Sequence, residues 1–296
     1  MVSGQALGIW YDSAKAGAIA ENIPTAEVDW LLQAVTDLDR LALRLGTFRA
    51  RSRVETRLPL VELEQLWQKR LRDRVPLQYL VGTTPWRNFE LKVSPAVLIP
   101  RPETEGIIEL AVAAAQGMGG YWVDLGTGSG AIAIGLADVF PEATIHAVDN
   151  SPEALGIAQE NAQAFGFAQR IEFHQGSWWE PLDPLKGTIC GMVSNPPYIP
   201  SSLIPQLQPE VRIHEPLLAL DGGDDGLDCL RYLVQTAPDY LRPGGIWLVE
   251  MMAGQASAVT KLLRESGNYD RIQILPDLEG IERFALAYRT VRHQLE

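Results

Sequence analysis

The stretch Val123-Asp124-Leu125-Gly126-Thr127-Gly128-Ser129-Gly130 decides the fold, because it joins a short apolar run to a helical one. The pattern predicts a buried strand at Tyr121–Leu125 and a helix at 131–140, with three alternating glycines between them. Glycines let the backbone turn tightly, and the free N–H groups at a helix start attract ligands. The order strand, glycine loop, helix therefore predicts a ligand site at the edge of a parallel sheet.

Strands and helices keep alternating towards the C-terminus. Further strands are predicted at 144–148, 171–175, 189–194, 246–251, 271–275 and 284–288. Helices are predicted at 151–167, with Ser151 as its cap, and at 227–241 and 255–265. This alternation predicts an α/β fold whose mostly parallel sheet carries helices on both faces. Residues 197–225 interrupt it with a long proline- and glycine-rich connection, which is typical of a binding loop.

The front of the chain has a different character. Residues 1–80 are predicted to be helical, with Thr25 as the cap of a helix that begins at Ala26. Two apolar stripes recur at helical spacing: Val28, Leu31, Leu32, Val35 and Leu38, then Leu60, Leu63, Leu66, Trp67 and Leu71. Residues 89–93 and 96–99 are predicted to form a hairpin or two short strands.

Composition excludes several classes of protein. The formal net charge of −12 is unevenly spread: residues 1–100 carry 13 Lys and Arg against 11 Asp and Glu, and residues 101–296 carry 12 against 26. An enzyme of nucleic acids usually shows a basic surface. Two cysteines cannot form a disulfide framework, and His146, His174, His214 and His293 form no metal-binding pattern. Without a signal peptide or a long apolar run, we expect a cytoplasmic protein that does not enter a membrane.

The glycine loop and a second acidic residue predict the ligand. The spacing G-x-G-x-G differs from the G-x-G-x-x-G of pyrophosphate loops, and the preceding Asp124 suits a cationic amine or sulfonium better than a phosphate. Asp149 ends the next strand, where a carboxylate can accept both hydroxyls of a ribose. Together they predict a ligand that contains adenosine, without deciding between S-adenosylmethionine and NAD.

The sequence Asn195-Pro196-Pro197-Tyr198 follows the strand at 189–194 and indicates the chemistry. Asn195 offers a side-chain carbonyl, Pro196 offers a backbone carbonyl without an N–H, and two prolines stiffen the turn. Tyr198 adds a flat apolar face. Two rigidly held acceptors suit a planar NH2 group, whose lone pair they would direct at an electrophile such as a sulfonium methyl group.

At these residues the chain resembles the HemK/PrmC family, the protein-(glutamine-N5) methyltransferases of class-1 peptide-chain release factors. The resemblance covers most of the chain and rests on YLVG at 79–82, VLIPRPETE at 97–105, DLGTGSG at 124–130, NPPY at 195–198, EP at 215–216, AL at 219–220 and GGDDGL at 222–227. Glu250 and Gln255 match the family pattern and Ser177 and Met252 depart from it, and we expect none of them to touch the chemistry.

The resemblance implies a class I S-adenosylmethionine-dependent methyltransferase: a Rossmann-like, seven-stranded, mostly parallel sheet with a small all-helical domain in front. Its implied divisions are a helical substrate-recognition domain at 1–83, a hairpin linker at 84–100 and the methyltransferase domain at 101–296. The implied contacts to S-adenosylmethionine are Gly126, Thr127, Gly128, Ser129, Gly130, Asp149, Trp178 and Asn195. Catalysis would use Asn195, Pro196 and Tyr198, and the glutamine would be held by these residues and Pro197.

The resemblance also implies partners: class-1 release factors, with no stable nucleic-acid partner and no metal. Trp179 is expected in the core. Arg101, Glu103 and Glu105 would line the substrate entrance or serve only helix-start electrostatics. The arginines between Arg40 and Arg57 would form a solvated face or a docking surface.

Three alternatives remain. An adenine-N6 nucleic-acid methyltransferase would share the chemistry, although the acidic residues 101–296 argue against it. A glutamine methyltransferase of a ribosomal protein has nearly the same motifs. A nucleotide-binding module or NAD enzyme would lack methyl transfer, and would fail to bind S-adenosylmethionine.

Overall fold

The computed structural model describes residues 1–117 and 119–291, so His293 lies outside the described residues. The described chain forms two compact units. One consists of Met1–Gly82 and Gln208–His214, and the other of Thr83–Leu207 and the chain from Glu215 onward. None of the described helices is long and apolar enough to cross a bilayer.

The first unit is helical, as the sequence predicts. Its helices are α1 Gly4–Ala20, α2 Ala26–Val35, α3 Arg40–Leu45, α4 Leu60–Asp73, α5 Leu77–Val81 and, later in the chain, α9 Pro209–His214. Both predicted stripes turn inward, because Val28, Leu31 and Leu32 of α2 and Leu63 and Trp67 of α4 are almost fully buried.

Two details of this unit concern the predicted helix cap and the predicted arginine face. Thr25 does not cap α2 with its side chain, because its backbone is already helical (φ −63°, ψ −20°) and a capping residue needs an extended backbone. The six arginines between Arg40 and Arg57 are all exposed, and Arg49 and Arg51 form ion pairs with Asp12 and Asp37.

An anchored segment joins this unit from far along the chain. The buried guanidinium of Arg70 donates to both carboxylate oxygens of Glu27, at 2.6 and 2.8 Å, and to Glu210 of α9, at 2.7 Å. Arg74 also reaches Glu210, and a ring nitrogen of His214 lies 2.7 Å from the Asp73 carbonyl oxygen. Within the helical unit, ion pairs to Glu210 and a hydrogen bond to His214 therefore hold residues 208–214 in place.

The second unit contains the predicted sheet. The strands of this sheet, within the described residues, are β3 Tyr121–Leu125, β4 Thr144–Asp149, β5 Ile171–Gln175, β6 Ile189–Ser194, β7 Leu241–Glu250, β8 Tyr269–Pro276 and β9 Glu282–Arg289. They lie in the order β5-β4-β3-β6-β7-β9-β8, and β9 alone runs opposite to the other six strands, so it is antiparallel to both β7 and β8. This arrangement confirms the predicted Rossmann-like, seven-stranded, mostly parallel sheet.

Helices cover both faces of the sheet. They are α6 Gly106–Ala115, α7 Ala131–Val139, α8 Pro152–Ala164, α10 Asp228–Tyr240 and α11 Ala256–Ser266. One apolar core contains Trp122 and the buried face of α7, and the other contains Trp247 and α10. Ser151 caps α8 as predicted, because its hydroxyl accepts the Ala154 N–H at 3.1 Å.

The predicted hairpin is shifted along the chain. Its strands are β1 Thr83–Trp86 and β2 Phe89–Lys92, whereas residues 96–99 form no strand. Pro95 and Pro100 flank that segment and lack the N–H that a ladder needs. Instead the Val97 N–H donates to the Ser94 carbonyl in a turn, and residues 96–98, 100 and 101 border a cavity.

Candidate active site

The carboxyl ends of β3, β4 and β6 border a cavity of about 510 Å³. The strand order reverses beside β3, which is where open α/β sheets bind ligands. Its walls include eight of the residues predicted from sequence: Gly126, Thr127, Gly128, Ser129, Asp149, Trp178, Asn195 and Pro197. Gly130, Pro196 and Tyr198 do not line it.

Two of the three glycines in the loop serve different purposes. All have left-handed backbones, with φ of 75°, 54° and 83° at Gly126, Gly128 and Gly130. A Cβ on Gly128 would meet no atom within 4 Å, so this glycine opens onto the cavity. A Cβ on Gly130 would lie 3.1 Å from the Ala158 Cβ, so this one lets α7 begin close against α8.

Asp149 lies at the end of β4 with both carboxylate oxygens held. Oδ2 accepts the Gly128 N–H at 2.8 Å, and Oδ1 accepts the Ser151 N–H at 3.0 Å. Burial raises the pKa of this carboxyl, and the backbone N–H groups oppose that rise. Each oxygen has a further lone pair for a ligand hydroxyl. The geometry therefore suits the ribose contact predicted from sequence.

Asp124 acts beneath the loop and not in the cavity, in contrast to the direct ligand contact suggested by its sequence position. Its carboxylate is fully buried, and Oδ2 accepts the Thr127 hydroxyl at 2.6 Å and the Ala133 N–H at 3.0 Å. Burial raises its pKa to about 7. Asp124 therefore holds together the two ends of the glycine loop.

The tryptophan pair divides as predicted, with one ring at the cavity and one in the core. Trp178 is half-buried on the cavity wall and has a left-handed backbone at φ 52°. Trp179 is 1% exposed and stacks on Tyr240 with ring centroids 4.4 Å apart. A left-handed backbone is uncommon for a bulky residue, so the loop after β5 holds the Trp178 ring at the cavity against a local conformational cost.

A chain of hydrogen bonds connects Asn195 to a buried carboxylate. Asn195 Nδ2 donates to Thr104 Oγ1 at 3.2 Å, and the Thr104 hydroxyl donates to Glu250 Oε2 at 2.6 Å. The Tyr198 hydroxyl donates to the other carboxylate oxygen, Oε1, at 3.0 Å. Glu250 is 1% exposed, and burial raises the pKa of this carboxyl. Two of the predicted substrate-binding residues, Asn195 and Tyr198, are thus connected by hydrogen bonds to the same carboxylate, Glu250.

Thr104, which lines the cavity, and Glu250, which does not, are positioning candidates to which the sequence motifs assign no role. A signal was present: Glu250 ends an apolar strand just as Asp149 does, and polar residues at the carboxyl ends of parallel strands line ligand sites. Gln255 supports the same loop, because its Nε2 donates to the Tyr198 carbonyl at 3.0 Å and to the Gly226 carbonyl at 3.1 Å.

The PRPETE segment contributes one charged side chain to the cavity. Arg101 lines the wall and donates to both oxygens of the buried Glu215, at 2.8 and 2.9 Å. Glu103 is exposed and does not line the cavity. Glu105 accepts the Arg87 N–H at 3.0 Å and does not line it either. Of the three predicted entrance residues, the structure brings Arg101 to the cavity.

The fold and the sequence both have named relatives. A family model described as a methyltransferase domain matches residues 119–269. The catalytic domain of hMettl16 in complex with the MAT2A 3′UTR hairpin 6 superposes with a TM-score of 0.56 at 12% identity, covering 90% of each chain. At that identity the likeness concerns the fold, and it supports the class I S-adenosylmethionine-dependent methyltransferase architecture.

Two curated relatives match over nearly their full length. The release factor glutamine methyltransferase of Synechocystis sp. is 54% identical over 97% of this chain and 97% of its own. That of Thermosynechococcus vestitus is 48% identical over 97% of this chain and 99% of its own. Identity of this extent, over nearly the whole chain, shows that the chain belongs to the family of release factor glutamine methyltransferases.

Proposed function

We propose that this chain transfers a methyl group from S-adenosylmethionine to the side-chain amide nitrogen of the glutamine in the Gly-Gly-Gln motif of peptide-chain release factors. The observation that carries the proposal is the orientation of the Asn195 side chain, whose amide nitrogen donates a hydrogen bond to Thr104. Its Oδ1 is therefore left to accept from a substrate NH2 group. The names of the relatives support the choice of substrate.

The residues of the cavity fit S-adenosylmethionine. Gly128 leaves room at the loop, Asp149 has lone pairs for the ribose hydroxyls, and the exposed face of Trp178 suits an adenine ring. We therefore assign the cofactor to Gly126–Ser129, Asp149, Trp178 and Asn195, with Gly130 ending the loop outside the cavity wall. When bound, it supplies an electrophilic methyl group on a sulfonium.

The substrate amide would be held by the turn at 195–198. Asn195, at the cavity wall, would accept one amide N–H through Oδ1. The adjoining Pro196 carbonyl and Tyr198 ring, which lie outside the wall, would accept the other N–H and support the flat group. An amide nitrogen is a weak nucleophile because its lone pair is delocalised. Fixing both N–H bonds directs the lone pair, so the rate gain comes mainly from positioning.

The roles of the two parts of the chain follow from their charge. The mildly basic helical part, residues 1–83, would recognise the protein partner, residues 84–100 would link it, and residues 101–296 would carry out methyl transfer. The net charge of −14 on residues 101–296 argues against a bare nucleic-acid substrate. Its free cysteines fit a reducing compartment such as the cytoplasm.

The test is mass spectrometry of a purified release factor incubated with this enzyme and S-adenosylmethionine. We expect one added methyl group on the peptide that contains the Gly-Gly-Gln motif. A release factor with Glu in place of that Gln is the matched control and should gain none. The proposal fails if the Gln peptide stays unmodified while a ribosomal protein or DNA becomes methylated in parallel reactions.

A further inference from the structure

Two histidines and a glutamate meet on the outer strands of the sheet, away from the cavity. His146 on β4 pairs in register with Glu172 on the edge strand β5, and His174 lies two residues further along β5. Alternation along the strands puts all three side chains on one face. His146 Nδ1 lies 3.1 Å from His174 Nε2 and 3.5 Å from Glu172 Oε2.

These distances match those between the ligands of a metal ion. Two donors that each bind a tetrahedral zinc ion at about 2.05 Å lie about 3.3 Å apart, and the two contacts above fall on either side of that value. The three donor atoms all lie within 4.8 Å of one another. No other group of His, Cys, Asp and Glu in the part of the chain that the structure describes has this arrangement.

We propose that His146, Glu172 and His174 form a zinc-binding site. Two imidazoles and one carboxylate are a donor set that zinc prefers, with a water molecule completing the tetrahedron. His146 is 3% exposed, whereas the Glu172 side chain is 59% exposed, so the site has a rigid inner ligand and an open path for entry.

The electrostatic surroundings favour a bound cation. The aromatic ring of Tyr121 packs edge-on against His146 with centroids 5.3 Å apart and limits its rotation. The carboxylate of Glu172 offsets part of the charge of the metal.

The site has a structural consequence. β5 is an edge strand, bonded to the sheet on one side only. A zinc ion would cross-link it to β4 close to Asp149, which lies three residues after His146. Since a ligand that binds only the folded state stabilises it, zinc should raise the melting temperature of the protein whether or not it affects methyl transfer.

The competing explanation is a hydrogen bond between two neutral imidazoles. Equilibrium dialysis of the full, untagged chain against zinc chloride, followed by metal analysis, separates the two. We expect one zinc ion per chain. Affinity should fall at least about 100-fold in His174→Gln and about tenfold in Glu172→Gln, because direct ligands cost at least as much as the 10–100-fold lost with their supporting residues.

His214→Gln is the matched control, because His214 lies in the helical unit and bonds to the Asp73 carbonyl. It should bind zinc like the wild type. Cobalt(II) should give the visible absorption of a four-coordinate ion in the wild type and not in His174→Gln. Zinc binding that is absent from the wild type, or equally tight in His174→Gln and Glu172→Gln, would overturn the proposal.

Discussion

The Thr104 hydroxyl donates a 2.6 Å hydrogen bond to Glu250, and this contact decides which end of the Asn195 side chain faces the cavity. A hydroxyl has one proton, so once Thr104 donates it, the oxygen can only accept from Asn195. Asn195 must then present Nδ2 to Thr104, and its Oδ1 remains for the substrate. The buried carboxylate thus orients a residue that it does not touch.

Replacing Glu250 tests this connection. In Glu250→Gln one acceptor oxygen becomes a donor, so either the Thr104 or the Tyr198 hydroxyl loses the acceptor for its proton. We expect kcat for methylation of the release factor to fall about 10- to 100-fold, which corresponds to about 1.4–2.7 kcal/mol. The Kd for S-adenosylmethionine, measured by calorimetry, should change less than about twofold.

Thr104 provides matched variants for the same experiment. Thr104→Val keeps the shape but removes the hydroxyl, and should be impaired like Glu250→Gln. Thr104→Ser keeps the hydroxyl and should retain most of the wild-type kcat. Equal activity of the Val and Ser variants would show that the hydroxyl does not orient Asn195.

Asn195→Ala should be more severe, because it removes the acceptor itself. We expect single-turnover methylation to slow by about 10²–10³-fold through loss of positioning, while S-adenosylmethionine binding is kept in part. Quenched-flow measurements with a radiolabelled methyl donor would give the rate of the chemical step. A rate within about threefold of the wild type would remove Asn195 from its proposed role.

Gly128→Ala tests whether the loop must leave room for the cofactor. The new Cβ would project into the cavity, so we expect the Kd for S-adenosylmethionine to rise at least about tenfold. Gly267→Ala is the matched control, since Gly267 also has a left-handed backbone, at φ 66°, and a Cβ there would meet nothing within 4 Å. Gly267→Ala therefore introduces a similar backbone strain at a position outside the cavity. Similar losses of affinity in both variants would mean that strain alone explains the effect.

Asp124 predicts a pH dependence of folding stability. Its pKa is about 7 in the folded chain against 3.8 ordinarily, so the folded state binds the proton more tightly than the unfolded state. Stability should therefore fall as pH rises from about 4 to about 7, with Asp124 contributing up to about 1.4 kcal/mol per pH unit. Above the folded pKa its contribution to the slope vanishes.

The measurement is urea unfolding at several pH values between about 4 and about 8, which spans both pKa values. Asp124→Asn keeps an oxygen for Thr127 and Ala133 but does not titrate. Its free energy of unfolding should vary less steeply with pH than that of the wild type. Parallel curves for the two proteins would contradict the raised pKa.

The ion pair between Arg70 and Glu210 should keep residues 208–214 ordered. Removing the buried charge leaves Glu27 without its ion-pair partner and Glu210 with Arg74 alone, which costs up to about 3 kcal/mol. In Arg70→Leu we expect hydrogen exchange in the 208–214 peptide to speed up markedly. Arg72→Leu, at an exposed position of the same helix, should exchange like the wild type. Unchanged protection in Arg70→Leu would show that the ion pairs do not hold the segment.

The sequence by itself determined the α/β fold and eight of the residues that line the cavity. Strand and helix periodicity, the glycine loop at 126–130 and Asp149 are local signals, because each depends on residues next to one another in the chain. The same holds for the turn at 195–198. The apolar run at 96–99 predicted a strand that does not form. Pro95 and Pro100 flank it and lack the N–H groups that pairing with a neighbouring strand requires.

Only the tertiary structure decided which distant residues meet. Thr104 and Glu250 are separated by 146 residues, and Arg70 and Glu210 by 140. His146 and His174 seemed scattered in the sequence, yet strand pairing brings their nitrogens to 3.1 Å. Such contacts depend on register and sheet order, which follow from the packing of the whole domain. The chemistry was visible in the motifs, but its orientation required the fold.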